Sequence, residues 1–288
     1  MGTKGTGGRY PESAMWTTQE PVESRSLSVP VAGVDLHVEV WAGSSDQSGE
    51  AAPIVMLHEG LGSVTQWRSL PTDLATATDR TVVAFDRGGH GRSAAAPDRH
   101  DADFMHREAV ETLPRLLAAV GEQGVRGLAA PVLVGHSDGA SIALIATATG
   151  AVEPRAVCVI APHVFVEEVC LEGIRSISAS REQIVGGLAR HHDEPALVFD
   201  RWRDVWLSDE FGSWNIESLL ADITVPVIAV QGDHDEYATE AMLESIERRV
   251  PNANTWFLAD CGHVAHRDQP EAVLAACVAA VEAAEPAG

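Results

Sequence analysis

The stretch Pro131–Thr149 reads P-V-L-V-G-H-S-D-G-A-S-I-A-L-I-A-T-A-T. A short apolar run (Val132, Leu133, Val134) leads straight into Gly135-His136-Ser137-Asp138-Gly139, and an Ala-rich segment of helix-forming composition follows. In the order strand, tight turn, helix, a G-x-S-x-G pentapeptide has a mechanical meaning. The reversing backbone strains its central residue and holds the Ser137 hydroxyl clear of the sheet. Side chains at positions 135 and 139 would collide with that backbone, so glycine is expected at both. The following helix aims its positive N-terminal end at the serine, where developing negative charge is favoured.

Outward from this stretch, the chain alternates buried strands with helices. Ser26–Val31 and Val34–Trp41 flank Ala32-Gly33 and predict an antiparallel hairpin. Pro53–Leu57 and Thr81–Phe85 are too short and apolar for anything but buried strands. Helices are expected over Val64–Thr78 and over Ala102–Val120, the latter kinked at Pro114. Further strands are expected at Ala156–Ile160, Val225–Val230 and Asn254–Leu258, with helices at Thr239–Val250 and Pro270–Glu282. This rhythm predicts an α/β fold: a mostly parallel sheet flanked by helices on both faces. Between Pro162 and Asp222 the rhythm breaks and aromatics gather: Phe165, Phe199, Trp202, Trp206, Phe211 and Trp214. The expected organisation is a disordered lead-in over 1–24, a core formed by 25–161 and 223–288, and a helical cap over 162–222.

Composition narrows the function. With 20 Lys+Arg against 42 Asp+Glu, the formal charge is −22, which argues against nucleic acid or an anionic membrane as partner. No apolar run approaches the roughly 20 residues that span a bilayer. The N-terminus lacks the apolar core of a signal peptide. It carries a myristoylation pattern at Gly2 and Thr6 with no polybasic patch beside it. Cys158, Cys170, Cys261 and Cys277 are scattered, as in a reduced cytoplasmic protein. The sequence does not fix the oligomeric state and allows a homodimer.

A serine hydroxyl needs a base, and the base needs a third group to fix its tautomer. Candidates follow two later strands, in Gln231-Gly232-Asp233-His234-Asp235-Glu236-Tyr237 and in Asp260-Cys261-Gly262-His263-Val264-Ala265-His266. Together with the D-R-G-G-H-G-R-S run at Asp86–Ser93 and H-E-G-L-G-S at His58–Ser63, these motifs resemble the α/β-hydrolase family. The likeness runs from about Ser26 to the C-terminus. Its narrower features resemble a subgroup described as esterase-like or enol-lactonase-like.

The resemblance implies Ser137 as nucleophile, His263 as base and Asp235, ahead of Asp233, as the third member. It implies an oxyanion hole from the N–H of Asp138 and a second N–H at Gly60 or Leu61. Glu59 stands where the family more often has glycine, so the register of that second donor is open. Asp138 either caps the helix and points away, or joins Glu59 in holding a cationic or hydroxyl-bearing part of the substrate. Glu59, Phe165, Trp202, Trp206 and Trp214 are the candidate substrate-binding residues, although the aromatics could equally form the cap's own small core.

His191-His192-Asp193-Glu194 lacks regular metal-ligand spacing and reads as a solvated loop. His266 reads as a surface or supporting group, and His90 as a structural hydrogen-bonder. No cofactor or metal is implied, and the expected partner is a small ester or acyl compound. The implied reaction is hydrolysis of a carboxylic ester, lactone or related acyl bond. Hydrolysis of a carbon–carbon bond in a diketone-like substrate, or a non-catalytic receptor of the same fold, are the alternatives.

Overall fold

A computed structural model describes residues 22–43, 51–95 and 100–285. The proposed lead-in up to residue 21, with its Gly2 pattern, therefore lies outside the described residues. Eight strands form one sheet: β1 (Ser24–Val31), β2 (Val34–Trp41), β3 (Ile54–Leu57), β4 (Val82–Phe85), β5 (Val132–His136), β6 (Ala156–Ile160), β7 (Val227–Gly232) and β8 (Ala253–Leu258). Their order across the sheet is β1-β2-β4-β3-β5-β6-β7-β8. β1 and β2 form the antiparallel hairpin, β2 meets β4 antiparallel, and every pairing from β4 to β8 is parallel.

Each residue of β3, β4, β5, β6 and β7 is buried, as the unbroken apolar runs require of strands covered on both faces. One face packs on α1 (Leu70–Thr78) and α10 (Pro270–Ala283). The other packs on α3 (Leu113–Glu122), α4 (Asp138–Ala148) and α8 (Ala241–Arg249). Fully burying one Val or Leu on such a face contributes roughly 1.5–3 kcal/mol.

Two predicted helices differ in detail, each for a reason that involves proline. The helix expected over 64–78 is split into a 3-10 turn at Val64–Trp67 and α1, with Arg68 between them at φ 56°. Pro71 has no N–H to offer the Trp67 carbonyl, so the helix cannot run through. The N–H of Val64 is instead anchored on the Asp86 carboxylate at 2.7 Å. The helix expected over 102–120 starts at α2 (Phe104–Arg107), widens into a π-turn at Glu108–Thr112 and continues as α3. Pro114 is the second residue of α3, so the expected kink is taken up by the wider turn just before it.

Between β6 and β7 lie α5 (Glu168–Ser178), α6 (Arg181–Leu188) and α7 (Pro195–Trp206), followed by two 3-10 turns. The aromatics here pack on each other: Phe211 stacks on Trp214 at 5.3 Å between centroids and meets Trp206 edge-on at 4.6 Å. This layer sits over the end of the sheet where β5 meets α4.

Candidate active site

Ser137 occupies the turn between β5 and α4 with φ 53° and ψ −117°, a conformation that a non-glycine residue seldom adopts. A Cβ at Gly135 would strike the backbone of Gly139 and Ala140, and one at Gly139 would strike the carbonyls of Leu57 and His58. The two glycines therefore let the turn pack against itself and against β3, which leaves Ser137 at the tip.

The loops after β7 and β8 bring Asp235 and His263 to that tip. The Ser137 Oγ–H donates to His263 Nε2 at 2.9 Å, and the Nδ1–H of His263 donates to both Asp235 oxygens at 3.0 Å. Asp235 also accepts the Tyr237 N–H at 2.8 Å and the Gln231 side-chain amide. Burial alone would depress the His263 pKa, but the Asp235 carboxylate outweighs it and raises the imidazole above its ordinary value. Burial opposes ionisation of Asp235, yet His263 and the Tyr237 N–H hold it below the usual carboxylate range. Asp233 lies outside this set, where its carboxylate accepts the Cys261 N–H at 3.1 Å and so ties the two loops together.

Beneath the imidazole, His136 donates from Nε2 to the His263 carbonyl at 2.9 Å. Burial drives the pKa values of His136 and His163 down to about 3, so His263 is flanked by neutral rings. His266 is buried, not on the surface: Nε2 lies 3.2 Å from the Gln66 carbonyl and its ring packs on Trp67.

The Asp138 N–H opens α4 at the residue after Ser137, where no intrahelical acceptor exists for it. Across from it runs the loop after β3. Among the described residues, the N–H groups of Gly60 and Leu61 meet no backbone acceptor. A Cβ at Gly60 would collide with the Trp202 indole and with Asp138 Oδ2, so this loop lies tight against both layers.

The Asp138 side chain takes neither course expected of it. It makes no helix cap and does not line the cavity. Oδ2 faces Arg87 Nη2 at 3.6 Å, and Oδ1 accepts the Trp206 Nε1–H at 3.3 Å. Burial raises its pKa to about 6 against the pull of Arg87.

A narrow cavity of about 40 Å³ opens onto Ser137 and His263. It is lined by Glu59, Gly60 and Leu61 and by the aromatic side chains of Trp202, Trp206 and Tyr237. Phe165 and Trp214 are absent from it. They border a shallow cleft elsewhere, where Phe165 bridges to Asn215 and Trp214 stacks on Phe211. The sequence offered no means of separating Trp202 and Trp206 from these two, because all four are buried or half-buried aromatics of one segment. His163, Cys170 and Ile174 also line the cavity and were not anticipated.

The expected solvated loop at 191–194 is partly buried. His192 accepts the Gly91 N–H at 2.9 Å through Nδ1 and donates to the Leu61 carbonyl at 3.0 Å through Nε2. His191 Nδ1 lies 2.8 Å from the Thr65 hydroxyl. These histidines tie the segment before α7 to the core. Among the described residues, no three His, Cys, Asp or Glu side chains gather as a metal site. His90 sets Nε2 3.1 Å from the Gly60 carbonyl, as a structural hydrogen-bonder would.

The family model for the alpha/beta hydrolase family matches residues 54–276. The chain belongs to the α/β-hydrolase family. Among curated relatives of this α/β-hydrolase, the esterase YbfF of Escherichia coli is 22% identical over 269 residues, covering 84% of this chain and 97% of the relative. The human serine hydrolase BPHL is 28% identical over 255 residues, covering 84% and 81% respectively. Among solved structures, a bacterial membrane phospholipase A superposes with a TM-score of 0.71 at 15% identity, over 93% of this chain and 88% of that one. This last likeness is one of fold. No helix among the described residues is long and apolar enough to cross a membrane.

Proposed function

We propose that this α/β-hydrolase is a cofactor-independent serine hydrolase that cleaves a carboxylic ester, lactone or related acyl bond. The observation that carries the reading is the continuous hydrogen-bonded line Ser137 Oγ, His263 Nε2, His263 Nδ1, Asp235. The esterase and serine-hydrolase names of its relatives support the same reaction class.

In the first step Ser137 Oγ attacks the carbonyl carbon and its proton passes to His263 Nε2. Asp235 faces the imidazolium so formed and keeps its orientation. The N–H of Asp138 and that of Gly60 or Leu61 receive the oxyanion. His263 then protonates the leaving alcohol, and an acyl group remains on Ser137. A water that loses its proton to His263 attacks this acyl-enzyme; the bond from the acyl carbon to Ser137 Oγ then breaks, His263 returns the proton to Oγ, and the acid leaves. The helices of residues 162–222 serve as a cap that supplies Trp202 and Trp206 to the acyl cavity, over a core of residues 25–161 and 223–288. A reducing compartment such as the cytoplasm fits four free thiols.

The test is turnover of nitrophenyl esters of increasing acyl length by wild type and Ser137→Ala. Cleavage by wild type with loss in the variant supports the reaction. Turnover that survives the substitution, or none by either protein, overturns it.

A further inference from the structure

Glu59 is a carboxylate without a counter-ion at the wall of the cavity. Among the described residues its oxygens form no ion pair within 4.0 Å and accept no hydrogen bond, whereas the neighbouring acids are all engaged. Asp138 has Arg87 and Trp206, Asp235 has His263, and Glu236 accepts the His263 N–H at 3.3 Å. Glu59 lines the same cavity as His263 and Tyr237, and its charge is felt at both.

Such a group is a burden for the chemistry proposed above. An unbalanced negative charge beside the oxyanion donors opposes the very charge they must stabilise. An apolar or hydroxylated substrate would leave that opposition in place. A cation in the substrate would cancel it, and the same cavity is lined by three aromatic rings of the kind that attract one, Trp202, Trp206 and Tyr237. The overall charge of −22 also draws cations toward the molecule.

We propose that the cavity accepts esters carrying an ammonium group, with Glu59 as counter-ion and Trp202, Trp206 and Tyr237 as the aromatic surround. This assignment rests on the hydrolytic reading and names its substrate class. It excludes Asp138 as a second anchor, because Arg87 already holds that carboxylate.

The experiment compares two isosteric pairs at constant ionic strength. Acetylcholine against the acetate of neohexyl alcohol places the charge on the alcohol side. The methyl ester of β-alanine against methyl butanoate places it on the acyl side. Wild type is expected to favour the charged member of at least one pair by about ten-fold or more in kcat/KM. In Glu59→Gln that ratio collapses toward one, and the neutral ester is cleaved a few-fold faster because the oxyanion is no longer opposed.

Equal rates within both pairs, or a preference that survives Glu59→Gln, overturn the assignment. Binding of tetramethylammonium and of propylammonium to Ser137→Ala, read by calorimetry with and without Glu59→Gln, judges the cation site independently of turnover. Neither cation binding to the Ser137→Ala protein would also overturn it. Absence of any ester cleavage by wild type counts against the hydrolytic reading, and the calorimetry then still decides on the cation.

Discussion

Arg87 Nη2 stands 3.6 Å from Asp138 Oδ2, with both side chains at most 2% exposed. The same guanidinium nitrogen donates to the Glu59 carbonyl at 2.8 Å, and the Arg87 N–H donates to His58 Nε2 at 3.0 Å. One cation thus fastens the loop that carries Gly60 and Leu61 to the residue that follows Ser137. Burying such a pair costs desolvation that its attraction barely offsets, so the value of this one lies in position.

Arg87→Lys keeps the charge but loses the rigid, planar guanidinium that holds Nη2 between its two acceptors. On the proposed mechanism, kcat for a neutral ester should fall about ten-fold with little change in KM. Arg87→Ala would strand the Asp138 carboxylate and should destabilise the fold by about 3–5 kcal/mol, measured by urea unfolding.

Asp138 also links stability to pH. Its folded-state pKa of about 6 lies above the value of an unfolded aspartate, so the folded protein binds the extra proton. Stability from this group is therefore present at low pH and is lost as pH rises toward about 6. Measured against Asp138→Asn, wild type should gain stability between pH 7 and pH 4.5, by on the order of 2 kcal/mol. A difference between the two that does not change with pH would contradict the assignment.

The proposed base must be neutral to accept the serine proton. Because Asp235 raises the His263 pKa despite burial, kcat/KM should climb with pH and reach half its plateau above about 6.5. Asp235→Asn removes both the orientation and the charge, with an expected loss of about 10⁴-fold in kcat. Stopped-flow or steady-state profiles on a neutral ester check both.

Two glycines provide a contrast. Gly60→Ala drives a methyl group into Trp202 and Asp138, displaces the loop, and should lower kcat about 10²-fold. Gly186, inside α6, has open space around it, and Gly186→Ala should raise stability by about 0.4–1 kcal/mol with activity unaltered. Thermal unfolding and ester turnover on both proteins separate the two effects.

Much of this was legible in the sequence because it is local. The run before Gly135 and the Ala-rich run after Gly139 dictate strand, turn and helix, and the Ser137 dihedrals follow from that geometry. The split before Pro71 was not foreseen, and for Pro114 a kink was expected where a π-turn stands, since a proline announces a defect without saying which form it takes. What remained hidden is pairing at long range. Nothing near Asp138 in the chain announces Arg87, and nothing in His191-His192 announces Leu61 or Gly91. Periodicity likewise identifies Phe165 and Trp214 as apolar without telling which aromatic wall they join.

His192 grips the Leu61 carbonyl, and Trp206 grips Asp138, from the same layer that roofs the cavity. The cavity bounded by these contacts is small, about 40 Å³. The layer over the cavity is thus tied to Leu61 and Asp138, two of the positions proposed as oxyanion donors. Any displacement of that layer would therefore be passed on to the loop and the helix start on either side of Ser137, so that what fills the cavity and how those N–H groups are set would depend on each other.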